Sequence, residues 1–261
     1  MAMTTGALDL IDTHLHLDAD EFASDREAVI KRAQSAGVNR FLIPSVWPAN
    51  FTTVRDLAAR LPGSVFALGV HPMYVEQTDD SAIVLLRAAL QMGGACAVGE
   101  IGLDGFVEGA DTARQEWFFA EQLKLAREFD LPVVLHVRRA QDRVLKYLRR
   151  HRVRGGIAHA FNGSLQQAET FIELGFKLGF GGAMTYSGST RIRELARTLP
   201  LESIVLESDA PDIPPAWLAG GRNEPGEVAK FAQVLAELRG IREDEVAAVT
   251  TRNAEVVLGL N

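Results

Sequence analysis

The sequence predicts an α/β protein that folds as a single (β/α)₈ barrel over residues 1–261. Short apolar runs alternate along the chain with longer amphipathic stretches, a pattern typical of a parallel sheet covered by helices. Eight such runs occur within about 240 residues, which is the number and size expected of a closed barrel. A doubly wound open sheet shows the same alternation and is the alternative, but the count of eight favours the barrel. No Pro/Ser-rich linker or charge block marks a domain boundary.

Each predicted strand is a run of three or four mostly apolar residues, too short for a helix. Such runs are typical of strands that are buried on both faces of a parallel sheet. In chain order they occupy residues 8–11, 41–43, 65–68, 95–98, 133–135, 156–158, 176–178 and 204–206.

Helical periodicity fills the segments between these runs, and several of the predicted helices end at residues that cannot continue a helix. The clearest are residues 25–36 followed by Gly37, residues 112–129 followed shortly by Pro132, and residues 191–199 followed by Pro200.

Composition narrows the class of protein. Hydrophobic residues make up 47% of the chain, which excludes intrinsic disorder, and no stretch approaches the roughly 20 apolar residues of a membrane-spanning helix. The net charge of −7 argues against a protein that coats nucleic acid or anionic lipid. Residues 1–8 lack the pattern of a secretory signal, and Cys96 is the only cysteine. We therefore expect a cytoplasmic protein with no membrane segment, no intrachain disulfide and no obligate protein partner.

Residues suited to chemistry follow most of the predicted strands. In a parallel barrel the carboxyl ends of the strands meet at one mouth, so we expect these side chains to lie together. They are His14 and His16 after strand 1, His71 after strand 3, Glu100 after strand 4, His136 and His159 after strands 5 and 6, and Asp209 after strand 8. Five of the six histidines share this rim, and His151 lies elsewhere.

This set of side chains predicts a metal site. His14 and His16 are two residues apart on a strand and so point the same way, and imidazoles beside carboxylates suit divalent ions such as zinc, manganese or iron. The donors exceed the three protein ligands of one open zinc site, which indicates two ions with Glu100 between them. We expect Asp209 to orient the attacking water and to take its proton. Each residue alone has a structural alternative, such as a turn role for Asp209 before Pro211, but six on one rim favour the metal.

Two arginines near the mouth are candidate substrate contacts. Arg222 lies in the loop after strand 8, where barrels commonly bind phosphate. The alternative is a helix cap, with Asn223 as the N-cap residue and Pro225 in the first turn. Arg138 lies two residues after His136 and is placed to reach an anionic substrate, whereas Arg139 is at least as well explained as a surface residue.

The rim residues lie within longer motifs that together resemble those of one enzyme family. The motifs are Asp-Thr-His-Leu-His-Leu-Asp at 12–18, Gly-Val-His-Pro at 69–72, Gly-Glu-Ile-Gly-Leu-Asp at 99–104, Val-Leu-His at 134–136, His-Ala-Phe-Asn-Gly-Ser at 159–164, Leu-Glu-Ser-Asp-Ala-Pro at 206–211 and Arg-Asn-Glu-Pro at 222–225. In order and in spacing they resemble the TatD family of metal-dependent hydrolases, over nearly the whole chain.

The resemblance implies a TIM-type barrel with a two-metal site, and several TatD proteins are deoxyribonucleases that trim single-stranded DNA from the 3′ end. It implies two divalent ions, with zinc, manganese and magnesium as candidates, and a small or single-stranded nucleic acid as substrate. It implies that His71 contacts the substrate and does not bind metal. The implied metal ligands are His14, His16, Glu100, His136, His159 and Asp209, with Glu100 and Asp209 also catalytic.

Two other functions remain open on the sequence. The first is hydrolysis of carboxylic esters or amides on the same site, because family members include enzymes that remove D-amino acids from mischarged tRNA. It is favoured by departures from the family pattern at Met73, Gly105, Ala160 and Asn162, all at substrate-facing places. The second is a catalytically idle barrel that binds metal or a partner, which the complete ligand set disfavours.

Overall fold

The computed structural model describes residues 8–260, and the chain over this range contains one eight-stranded parallel sheet. Its strands are β1 (Leu10–Asp12), β2 (Val38–Pro44), β3 (Val65–Leu68), β4 (Ala97–Asp104), β5 (Val133–Arg138), β6 (Gly156–Ala158), β7 (Phe176–Phe180) and β8 (Ile204–Leu206). They pair in chain order from β1 to β8.

The ring closes between the first and last strands. Thr13, directly after β1, donates hydrogen bonds to the Leu206 carbonyl from its backbone N–H (3.1 Å) and from its hydroxyl (3.0 Å). A doubly wound sheet would reverse its strand order partway and leave two open edges. The predicted (β/α)₈ barrel is therefore confirmed and the open-sheet alternative is wrong. That residues 1–261 form a single domain stays a prediction, and residues 1–7 and 261 lie outside the described range.

A helix follows each strand. The helices are α1 (Arg26–Ser35), α2 (Phe51–Arg60), α3 (Ser81–Gln91), α4 (Thr112–Glu128), α5 (Gln141–Arg150), α6 (Leu165–Glu173), α7 (Thr190–Thr198), α8 (Val228–Arg239) and α9 (Glu243–Leu258). Of the three helices predicted from their end signals, α4 differs from the prediction by one residue at its carboxyl end, and α1 and α7 differ by one residue at both ends. Over residues 8–260, no helix combines the length and the apolar character that crossing a bilayer requires.

The ninth helix closes the amino-terminal end of the barrel. Its Asn253 side chain donates to the Leu201 and Ile204 carbonyls, at 2.8 and 2.7 Å, where β8 begins. Its Val257 and Leu258 belong to the core cluster inside the barrel. The strand residues of that cluster include Ile11, Leu42, Ala67, Val134, Ile157 and Val205. Apolar packing thus fills one end of the barrel and leaves the other for polar side chains.

Strands β4 and β5 extend past site residues that were expected to follow them. Glu100 and His136 were expected after β4 and β5, but they lie inside these strands, which continue to Asp104 and Arg138. The reason is that side chains alternate between faces of a strand. In β4 the helix-facing positions stay apolar, whereas the positions that face the mouth become polar, so the apolar run ends before the strand does. The register with β5 also shifts between Val98 and Ile101.

Candidate metal centre

The predicted rim residues converge on one carboxylate in the mouth of the barrel. Glu100 is 1% exposed, and imidazoles from five positions surround it. Its Oε2 atom faces the residues of the first motif, at 3.1 Å from His14 Nε2 and 3.5 Å from His16 Nε2. Its Oε1 atom faces three others, at 3.3 Å from His71 Nε2, 3.1 Å from His136 Nδ1 and 2.8 Å from His159 Nε2. Each oxygen of one carboxylate therefore meets a different group of histidines.

Asp209 lies on the Oε2 side of this cluster. Its Oδ1 atom is 3.6 Å from His14 Nε2, 3.9 Å from His16 Nε2 and 4.0 Å from His159 Nδ1. The residue has a left-handed backbone (φ 56°), and its N–H donates to the His14 carbonyl at 2.8 Å. Its side chain is 13% exposed, so it is the acid of the cluster that a solvent molecule can reach.

The donor set fits divalent cations. Ligand atoms of three overlapping groups lie within 4.8 Å of one another: His14 with Glu100 and His159, His14 with His16 and Asp209, and His71 with Glu100 and His136. Two atoms that face each other, His14 Nε2 and Glu100 Oε2, are buried and make no well-aligned hydrogen bond. A buried nitrogen and a buried carboxylate oxygen without partners are costly unless a cation lies between them. Nitrogen and carboxylate oxygen together suit zinc and other borderline divalent ions.

The histidines of the site differ in their protonation states. Burial lowers the pKa of His14 to about 3 and that of His71 to about 4, so both imidazoles are neutral at pH 7. Burial opposes charge on Glu100, but the surrounding histidines outweigh it and hold the pKa of this carboxyl well below its usual value. Burial raises the pKa of Asp209 to about 6, against the opposing effect of His159. Burial favours the neutral form of His136 and His159, but hydrogen bonds to Asp104 and Glu100 raise the pKa of His136, and Glu100 raises that of His159 well above its usual value. Metal ligation requires neutral imidazoles, so metal binding would displace the proton of His159.

His71 differs from the other histidines in how its second nitrogen is used. The Met73 backbone N–H donates to His71 Nδ1 at 3.2 Å. In a neutral imidazole one nitrogen accepts and the other carries the proton, so His71 Nε2 bears hydrogen and points as a donor towards Glu100. A protonated nitrogen cannot bind a metal. The tautomer therefore favours a substrate-contacting role for His71 over a ligand role.

Two buried carboxylates lie beside the histidines, and sequence reasoning assigned neither of them a role. Asp104 Oδ2 lies 3.0 Å from His136 Nε2, and Glu207 Oε1 lies 3.7 Å from His159 Nδ1 while it also accepts the Ala160 N–H. Asp104 is within hydrogen-bond distance of His136, and a carboxylate in this position fixes the orientation and tautomer of a ligand histidine. Glu207 is too far from His159 Nδ1 for a hydrogen bond. Both residues stood in the quoted motifs, and the even spacing of Asp104 from Glu100 was the available signal that they share a face.

Hydrogen bonds with Asp12 and with Asn223 hold the loop after β8 in place. Asp12 accepts hydrogen bonds from the Ser208 N–H (2.9 Å) and hydroxyl, and burial raises the pKa of Asp12 to about 8. Asn223 is fully buried, and its amide donates to the carbonyls of Ser208 (2.7 Å), Asp212 (2.9 Å) and Ile213 (3.2 Å). Asp209 is thus held between two anchored neighbours.

This network also bears on the helix-cap alternative for the loop. Asn223 is not the N-cap residue that this alternative requires, since Glu224 precedes the short 3₁₀ helix Pro225–Glu227. The side-chain oxygen of Asn223 instead accepts the N–H of the adjacent Glu224 at 2.9 Å. Pro225 does lie in the first turn of that helix.

The two predicted arginines are placed differently. Arg222 donates to both carboxylate oxygens of Asp25 at 2.8 Å and to Glu224 at 2.8 Å, so its guanidinium is already occupied. These contacts tie the loop after β8 to the segment before α1. Arg138 ends β5 and is exposed, with its guanidinium 3.8 Å from the centre of the Phe106 ring. Substrate contact by Arg222 stays a prediction, and it requires the arginine to exchange these carboxylates for the substrate.

The barrel and the cluster at its mouth define a metal-dependent hydrolase. The family model of TatD-related DNases matches residues 11–259 of the chain. The uncharacterised metal-dependent hydrolase YjjV of Escherichia coli K12 is 44% identical over 246 residues, which cover 93% of this chain and 95% of the relative. The chain therefore belongs to the TatD family.

Two further comparisons agree. The crystal structure of Escherichia coli YjjV superposes with a TM-score of 0.93 at 42% identity and covers 97% of this chain and 98% of that one. The 3′-5′ ssDNA/RNA exonuclease TatD of Erwinia billingiae is 30% identical over 259 residues, covering 96% of this chain and 99% of the relative. The family expected from the motifs is confirmed.

Proposed function

We propose that this hydrolase cleaves phosphodiester bonds in single-stranded nucleic acid from the 3′ end, with two divalent ions that Glu100 and the histidines around it would hold. The observation that carries the proposal is the division of the histidines between the two oxygens of that carboxylate. A carboxylate with one oxygen directed to each of two donor groups is arranged to bridge two ions. The proposed ligands are His14, His16, Glu100, His136, His159 and Asp209.

When bound, two divalent ions lower the pKa of a water molecule and stabilise charge on the attacking and leaving oxygens of the phosphodiester. The protein supplies a fixed frame for this chemistry, because Glu100 is buried and Asp104 holds His136 at 3.0 Å. Zinc, manganese and magnesium are the candidate ions, and availability decides among them.

Asp209 is proposed as the proton acceptor. It is the cluster carboxylate that is open to solvent, and its position is fixed by its own backbone and by its neighbours. A general base must lie within hydrogen-bond reach of the water whose proton it takes, and Asp209 lines the space in which that water would stand. Glu100, in contrast, is enclosed by histidines and is proposed to act only by holding the metal centre together.

Two residues are proposed to contact the substrate. His71 presents an Nε2–H donor at the metal centre, suited to an unesterified phosphate oxygen. Arg138 has guanidinium donors that no carboxylate of residues 8–260 occupies, so they are free for a phosphate. The Erwinia relative supports this substrate class, since it is named as an exonuclease of single-stranded DNA and RNA.

The test is cleavage of 5′-labelled single-stranded DNA and RNA with magnesium, manganese or zinc, in the parent and in Asp209→Asn. The parent is expected to give a ladder that shortens from the 3′ end and requires metal. Asp209→Asn keeps the shape of the side chain and removes the base, so its ladder should form at least 100-fold more slowly, on the order of the factor a general base contributes. Turnover of Asp209→Asn at the parent rate would contradict the assigned role.

A parallel assay separates the alternative function. The same preparations are given a D-aminoacyl-tRNA and a simple carboxylic ester. Metal-dependent release of the amino acid, with intact single-stranded DNA and RNA under all three ions, would show that the site is an ester or amide hydrolase and that the proposed nuclease function is wrong.

A further inference from the structure

We propose that Phe106, Arg138 and Arg139 form a nucleotide-binding platform at the rim of the barrel, on which one base of the substrate strand stacks while its phosphate meets an arginine. We call these three residues the Phe106 platform. The inference rests on the proposed nuclease function and deepens it. It identifies where the strand lies beyond the bond that is cut.

The exposure of Phe106 separates it from comparable rings. Within residues 8–260, four phenylalanines lie beneath an arginine guanidinium. Three of these rings are core residues with exposures of 0% (Phe22), 7% (Phe66) and 1% (Phe118). Phe106 is 45% exposed, so its ring packs against arginine without being removed from solvent. Nearly half of the Phe106 surface is therefore open to a ligand.

The arginines of the platform are also available. The guanidinium carbons of Arg138 and Arg139 lie 3.8 and 4.6 Å from the centre of the Phe106 ring. Within residues 8–260, neither guanidinium forms a salt bridge or a side-chain hydrogen bond. Arg222 and Arg191, also on the mouth side, are both occupied, the first by Asp25 and Glu224 and the second by Asn162. Two free cations beside an exposed ring, on a chain of net charge −7, form a local site for an anionic, aromatic ligand.

The platform is fixed to the metal centre by one carboxylate. Asp104 Oδ1 accepts the Phe106 backbone N–H at 2.7 Å, and Asp104 Oδ2 contacts His136 Nε2 at 3.0 Å. The intervening Gly105 donates to the Arg138 carbonyl at 2.7 Å. A side chain at Gly105 is excluded, because its Cβ would lie 2.7 Å from the Arg139 carbonyl oxygen. The backbone that carries the ring is therefore held at two points, one of them shared with a proposed metal ligand.

Strand geometry places the platform beside the reacting centre. His136 and Arg138 are two residues apart on β5, so both side chains face the mouth and are separated by roughly 7 Å along the strand. A phosphate at the metal centre and a neighbouring nucleotide at Arg138 are therefore compatible with one continuous strand. Stacking on an aromatic ring tolerates every base, because each has a π-face, so we infer a contact without sequence preference.

The experiment compares two 5′-labelled single-stranded oligodeoxynucleotides that differ only in their 3′-terminal nucleotides, which carry bases in one and are abasic in the other. We expect the parent to prefer the base-bearing strand. Phe106→Ala should lower kcat/KM for that strand by about 5- to 150-fold, the range that stacking of one base spans, and leave the abasic strand unchanged. Phe106→Trp should keep the preference, since the larger ring still stacks.

Matched controls separate the platform from general damage. Val107→Ala alters the adjacent exposed apolar residue of the same loop and should change neither substrate. Arg138→Ala should weaken binding of both strands and reduce the salt dependence of binding by about one ion, as expected when a phosphate contact is lost. Arg149→Ala, in the last turn of α5 at the opposite end of the barrel, should leave that dependence as it is. Thermal melting and metal content establish that each variant is folded and loaded.

The results distinguish the platform from the nuclease function on which it depends. A preference for bases that disappears in Phe106→Ala and persists in Phe106→Trp supports the platform. Equal cleavage of both strands by the parent, or an equal loss on both in Phe106→Ala, overturns the platform and leaves the nuclease function intact. Failure of the parent to cleave either strand under all three ions overturns the nuclease function and the platform with it.

Discussion

Replacing Asn223 by alanine removes the amide that joins three carbonyl groups of the loop after β8. Of these, the Ser208 carbonyl lies in a residue that is 1% exposed, so water cannot replace the lost donor there, whereas the other two belong to residues nearer the surface. An unpaired buried carbonyl costs about 1–3 kcal/mol, and one further lost hydrogen bond about 1 kcal/mol. We therefore expect the free energy of unfolding to fall by about 2–4 kcal/mol.

The same change should reduce activity, because Ser208 is adjacent to Asp209. A displacement of about 1 Å in a catalytic group lowers turnover by up to 100-fold, so we expect at least a 10-fold loss in kcat. Asn253→Ala is a matched control, since its buried amide donates to two carbonyls at the other end of β8, far from the mouth. Urea unfolding and steady-state kinetics on both variants decide the question. Equal kcat in the two variants, or a change in stability below about 0.5 kcal/mol for Asn223→Ala, would refute the reasoning.

Three other predictions concern Asp104, the packing of Gly179 and the bound metal. Asp104→Asn should weaken metal affinity by about 10- to 100-fold, because the variant has no carboxylate to hold His136. Affinity is measured by competition with a chelating dye, and an unchanged value would show that the Asp104–His136 contact does not support metal binding. Gly179→Ala should destabilise the protein by about 1–3 kcal/mol in urea unfolding, because its Cβ would lie 2.1 Å from Glu207 Oε2 in a packed interior. Gly188→Ala is the control, since nothing lies within 4 Å of the added Cβ and stability should not change. Equal stabilities of the two variants would contradict close packing of Gly179 against Glu207. Removal of metal by a chelator should abolish hydrolysis and lower the melting temperature. Metal added at about 100 times its Kd should raise the free energy of unfolding by roughly 2.7 kcal/mol. A melting temperature that does not change with metal would argue against ions in this buried cluster.

The fold could be predicted from the sequence because its signals are local. Each strand is a short apolar run, and helix ends are marked by residues such as Gly37 and Pro200. The gathering of the histidines was also predictable, since parallel topology brings the carboxyl ends of all strands to one mouth. The residue at which a strand ends was harder to predict from the sequence, because β4 continues through Glu100 to Asp104 with polar side chains towards the mouth.

The different roles of chemically similar residues could not be predicted from local sequence signals. Glu207 and Asp209 are two positions apart, but one lies buried against His159 and the other reaches solvent, a difference that depends on backbone conformation after β8. The occupation of Arg222 by Asp25 joins positions 197 residues apart. The state of His71 depends on a single backbone N–H from Met73. Contacts of this kind are set by the tertiary structure and leave no periodic signal in the sequence.

The central claim is that Glu100 bridges two ions, and the most direct test is metal stoichiometry by elemental analysis after equilibration with zinc or manganese. We predict two equivalents per chain for the parent and no more than one for Glu100→Gln, because the amide cannot offer an anionic oxygen to each group of histidines. His151→Ala, which removes the histidine that caps α5 outside the cluster, should still bind two. A parent that saturates at one equivalent, or a Glu100→Gln variant that binds two as tightly as the parent, would contradict the account.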